Sequence, residues 1–83
     1  MNEELVPLSA PAPGEVGVVR QLVGGRGFVS RLAALGFTIG AEVTMVQNFG
    51  RGPIIVLVRD TRVALGRGES MKVLVSRRGS SHG

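Results

Sequence analysis

The chain has 83 residues, no cysteine, tryptophan or tyrosine, and a formal charge of +4 at pH 7. That length supports one small domain with a single aliphatic core, and the lack of cysteine removes thiolate catalysis, disulfides and cysteine-based metal sites. Two of the ten basic residues, Arg77 and Arg78, follow the last apolar run, so the body carries eight basic against six acidic residues, too even a balance for a polyanion-binding field.

The amino terminus, Met1-Asn2-Glu3-Glu4, carries acids where a secretory signal would be basic. The longest apolar run, Ile54 to Val58, is far too short to span a bilayer. A cytoplasmic chain with no direct membrane insertion is expected. Residues 1–7 read as an extended lead-in, with Leu5, Val6 and Leu8 placed to pin it to the core. Pro7, Pro11 and Pro13 keep this stretch out of helix, and Pro13-Gly14 reads as a turn.

A β-branched run over 15–23 predicts the first strand, with a bulge where its alternation breaks. Gly24 to Gly27 is a flexible connection into a short helix at about 27–35. Phe28, Leu32 and Leu35 fall at i, i+4 and i+7, so they share one helix face. Gly36 supplies the stop, and Phe37 is placed to fold back on the last turn as in a Schellman motif. Thr38-Ile39-Gly40 reads as a tight turn with positive φ at Gly40.

Glu42 to Gln47 alternates as a strand, and Asn48 to Pro53 forms a glycine-rich loop. Ile54 to Val58 is apolar on both parities and suits a strand covered on both sides. Asp60-Thr61 is read as the hairpin tip leading into Arg62–Leu65, Gly66 to Ser70 as a turn, and Met71 to Val75 as the last strand. Residues 76–83 lack periodicity and are expected to form a disordered basic tail. Five short strands and one helix, with thirteen glycines concentrated mainly between the apolar runs, predict a mainly β fold closed into a small barrel. Closure avoids the exposed edges of an open sheet, and the glycines permit sharp corners.

Catalysis needs a titrating group held beside a second one in a sheltered pocket. Glu3, Glu4, Glu15, Glu42, Asp60 and Glu69 are scattered over tail, turns and strand starts, and the single histidine, His82, lies in the tail. No nucleophile has a base, and the chain is not expected to be an enzyme. The same dispersal argues against an intrachain metal site or a cofactor, although a carboxylate or His82 could bridge two copies through a metal. Gly24-Gly25-Arg26-Gly27 superficially resembles a phosphate-cradling loop, but it lacks the lysine and serine or threonine of a P-loop.

Partner contact is the remaining chemistry. Phe49, at a loop tip, either caps the barrel or meets another molecule, and Leu35, Phe37 and Ile39 pose the same choice. Arg26 and Arg51, in glycine-rich loops, are the cations placed to reach a partner or its nucleotide. An alternative is a nucleic-acid-binding or transcription-regulatory small barrel. The three aromatics, Phe28, Phe37 and Phe49, make a poor stacking platform, so no nucleic-acid partner is expected.

The order of motifs is more specific than any one of them: Leu8-Ser9, Gly14-x-x-Gly17-x-Val19, Arg31-Leu32-x-x-Leu35-Gly36-Phe37-x-x-Gly40, and Leu65-Gly66 before Val73-x-Val75. From Leu8 to Val75 the chain resembles the ferrous iron transport protein A family, FeoA. The resemblance implies an SH3-like barrel over 8–75, a cytoplasmic and non-catalytic role in iron transport, family-level metal association, and a partner in FeoB, the membrane permease with a GTPase domain. Self-association into a homo-oligomer is compatible with it. Two positions depart from the family pattern: Ile39 stands where proline often precedes the turn glycine, and Ser70 stands where alanine usually precedes the last strand.

Overall fold

A computed structural model describes residues 4–77. Glycine- and proline-bounded apolar runs become six antiparallel strands: β1 Leu5–Pro7, β2 Val16–Leu22, β3 Glu42–Gln47, β4 Ile54–Val58, β5 Thr61–Leu65 and β6 Val73–Arg77. Helix α1, Arg26–Ala34, joins β2 to β3, and the single turn α2, Arg67–Ser70, joins β5 to β6. The strands form one sheet in the order β1-β6-β2-β3-β4-β5.

The sheet wraps one core. Val19, Val43, Met45, Val56, Val73 and Val75 are fully buried, and Leu8 and Phe37 join them from outside the strands. Each such side chain contributes about 1.5–3 kcal/mol through removal of apolar surface from water. β4 buries Ile54, Val56 and Val58 completely and half-buries Ile55 and Leu57 between them. Its double-sided apolar pattern thus reflects one core face and one partly covered face.

Helix α1 ends as its sequence dictates. Gly36 takes φ +110°, its N–H donates to the Ala33 carbonyl at 3.0 Å, and the Phe37 N–H donates to the Leu32 carbonyl at 3.0 Å. This pair of bonds is the Schellman closure, and it drives Phe37 into the core. Upstream, Pro13 and Gly14 (φ +92°) form a turn closed by the Glu15 N–H on the Ala12 carbonyl at 3.0 Å. The expected irregularity of β2 is a bulge, with the register against β6 shifting between Val19 and Gln21.

Four expectations are corrected. The described residues form six strands, because Leu5–Pro7 pairs with Leu74–Ser76 where a mere lead-in was expected; at the sheet edge Pro7 needs no N–H on its outer side. β6 extends to Arg77, so Ser76 and Arg77 belong to the sheet and not to the tail. The β4–β5 tip is Arg59-Asp60, both with positive φ (52° and 62°), while Thr61 already pairs with Val58. Residues 66–70 form a helical turn in which the Glu69 carboxylate accepts the Gly66 N–H at 3.3 Å and the buried Ser70 hydroxyl donates to the Arg67 carbonyl at 2.8 Å. Glu3, Arg78 and His82 lie outside the described residues, so the expectations for them are not addressed by the fold.

Candidate interaction surfaces

The α1–β3 connection is fixed before it presents anything. Gly40 donates its N–H to the Val19 carbonyl at 2.7 Å, and Val19 donates back to the Ala41 carbonyl at 2.9 Å. The Ala41 N–H on the Thr38 carbonyl, 2.9 Å, closes a turn with Ile39 and Gly40 (φ +92°) at its centre. Ile39 is therefore carried outward on a rigid turn and is 62% exposed. It borders an open groove of about 580 Å³ lined by Thr38 to Glu42, Thr44, Leu57, Arg59 and Asp60. Arg59 Nη2 donates to Thr38 Oγ1 at 3.4 Å across one side. Leu35, the helix cap, is 40% exposed where a core contact was expected, because the chain reverses at Gly36 and Phe37 takes the buried place.

The other candidates lie elsewhere. Phe49 is 76% exposed and does not cap the barrel, and Arg51 is exposed in the same loop. That loop leaves the far end of β3, roughly 17 Å along the strand from the Ile39 turn. Phe37 is fully buried and offers no surface to a partner, a correction to its candidacy. Arg26 opens α1 and is exposed, at the opposite end of the helix from Leu35. The six candidates thus divide into a groove residue, a helix cap, a loop pair, a helix start and a core residue.

Beside Phe49, Asn48 performs a structural task that periodicity does not signal. Its amide Nδ2 donates to the Ser9 and Pro11 carbonyls at 2.8 and 2.9 Å, while Oδ1 accepts from the Gly50 N–H and from Arg67 Nη2 at 2.9 and 2.8 Å. Arg67 Nε also reaches the Gly52 carbonyl at 3.0 Å. This hub ties the segment after β1, the β3–β4 loop and α2 together. Glu69, bonded by Arg31 and by the Gly66 N–H, is held below its ordinary carboxylate pKa, the Arg31 hydrogen bond being the larger cause. Among the described residues no three His, Cys, Asp or Glu side chains gather to hold a metal, and no helix is long and apolar enough to cross a membrane.

Fold and connectivity together define a small SH3-like β module. The FeoA domain family matches residues 6–77. A protein of Methanocaldococcus jannaschii bearing the name Fe(2+) transport protein A is 32% identical over 71 residues, spanning 86% of this chain and 85% of that one. A crystal structure of an iron uptake regulatory protein (FeoA) superposes with a TM-score of 0.84 at 35% identity, covering 89% of this chain and 99% of the other. The FeoA of Stenotrophomonas maltophilia, solved with zinc and described as a prokaryotic SH3 domain protein, gives 0.71 at 34% identity, covering 86% and 89%. The chain belongs to the FeoA family, whose members are accessory to ferrous iron transport.

Proposed function

We propose that this chain is a cytoplasmic, non-catalytic accessory protein that docks on the cytoplasmic part of FeoB and modulates ferrous iron uptake. Family membership supports the iron-transport context, and the S. maltophilia relative is described in terms of ferrous iron transport activation. The observation that carries docking is Ile39: an aliphatic side chain, 62% exposed, held on a hydrogen-bonded turn beside an open groove. A rigid apolar residue beside a groove loses little conformational freedom on binding, which is how a small interface obtains its few dominant contacts.

The test is calorimetric titration of the purified FeoB cytoplasmic domain, with and without guanine nucleotide. Ile39→Asp is expected to weaken binding by about 30-fold or more, as loss of a central contact does. Phe49→Ala and Arg51→Ala measure whether the second loop shares the interface. Unchanged affinity in Ile39→Asp, or no binding by the wild-type chain in any nucleotide state, overturns the reading.

A further inference from the structure

At the end of α1 away from the groove, two exposed aliphatic residues stand among cations. The Val23 N–H donates to the Lys72 carbonyl at 2.8 Å, so the chain leaving β2 runs beside the chain entering β6. Val23 is 45% exposed and Met71 58% exposed. Half-buried Phe28 packs against the neighbouring Gly24, so close that a Cβ on Gly24 would stand 2.7 Å from its Cδ2. Lys72 Nζ and the Arg31 guanidinium carbon sit 5.4 and 5.8 Å from the centre of the Phe28 ring. Arg26 is exposed on the first helical turn. The carboxylate tied into this cluster is Glu69, which is bonded to Arg31 and to the Gly66 N–H.

We propose that this patch is a peripheral docking surface for the anionic headgroup layer of a lipid bilayer, with Met71 and Val23 entering the interface and Lys72 and Arg26 meeting the lipid phosphates. The combination of chemistries selects this occupant. At an anionic bilayer surface exposed cations meet the headgroups while neighbouring aliphatic side chains go deeper. A single-stranded nucleic acid would want a bare aromatic face, and the Phe28 ring already has Lys72 and Arg31 over it. Arg26 opens α1 and the Ile39 turn follows its other end, roughly 13 Å away at helical rise, so the two surfaces can be tested by separate substitutions.

Co-sedimentation of the full chain with vesicles of equimolar phosphatidylcholine and phosphatidylglycerol, against vesicles of phosphatidylcholine alone, tests this. Binding is expected to the anionic vesicles only and to fall as salt rises. Lys72→Gln should lower the partition coefficient about fivefold, the effect of one cation near an anionic surface. Met71→Ser, an exposed change expected to leave the circular dichroism spectrum unaltered, should lower it as well. Equal retention on both vesicle types, no retention on either, or wild-type binding by Met71→Ser overturns the assignment; the last result with competition by polyuridylate marks a simple polyanion surface. Ile39→Asp should bind vesicles as wild type does, and Met71→Ser should bind the soluble FeoB domain as wild type does, so failure of one surface is separable from failure of the other.

Discussion

Gly36 and Gly40 both adopt positive φ, +110° and +92°, yet they should respond differently to substitution. A Cβ at Gly40 meets nothing within 4 Å, so Gly40→Ala carries only the left-handed backbone penalty of about 1–2 kcal/mol. At Gly36 the added carbon would lie 3.1 Å from Arg59 Cδ and 3.3 Å from Val58 Cγ2, beneath the point where helix and hairpin meet. Gly36→Ala should therefore lower the urea unfolding free energy by more than Gly40→Ala, and equal losses would show that the hairpin yields freely. Both turns were legible because each glycine stands where a helix end or a tight turn needs positive φ, which glycine adopts without a Cβ penalty. The exposure of Leu35 was not legible: its spacing from Phe28 and Leu32 places it on the core face, but that face runs out where Phe37 is pulled in by the helix closure.

Elements were readable to the extent that their cause was local. β2, β3 and β4 follow from alternation and β-branched runs, and α1 from a spacing and a stop. β1 escaped because three residues acquire strand character only by pairing with β6, near the other end of the chain. The Asn48 hub escaped for the same reason: an asparagine before a glycine-rich loop reads as turn chemistry, while three of its partners, Ser9, Pro11 and Arg67, are remote in sequence. Asn48→Ala leaves the Ser9 and Pro11 carbonyls and the Arg67 guanidinium without that partner, and should cost about 2–3 kcal/mol in denaturant unfolding. Arg67→Ala should cost less, and the double variant should fall short of the sum because the two side chains share a bond. Strict additivity would mean that α2 and the β3–β4 loop are held independently.

For the whole molecule, the sheet order makes the last strand an interior one. β6 lies between β2 and β1, and the register Leu5 with Ser76, Val6 with Val75 and Pro7 with Leu74 makes β1 a short cover over its outer edge. Short, proline-bearing edge strands are a known protection against edge-to-edge pairing, and β1 has three residues ending in Pro7. Removing residues 1–7 would uncover Val73–Arg77, a strand with Val73 and Val75 already committed to the core, and would strip half-buried Val6 from beside it. Two consequences should appear together. The unfolding free energy should fall by roughly 2–4 kcal/mol, from three lost ladder positions and the Val6 contact. Sedimentation velocity should show concentration-dependent self-association that is absent in the full chain, and Leu74→Lys in the shortened chain should suppress it by placing a charge on the exposed edge. A shortened chain that stays monomeric with an unchanged unfolding midpoint would show that β1 neither stabilises the sheet nor protects its edge.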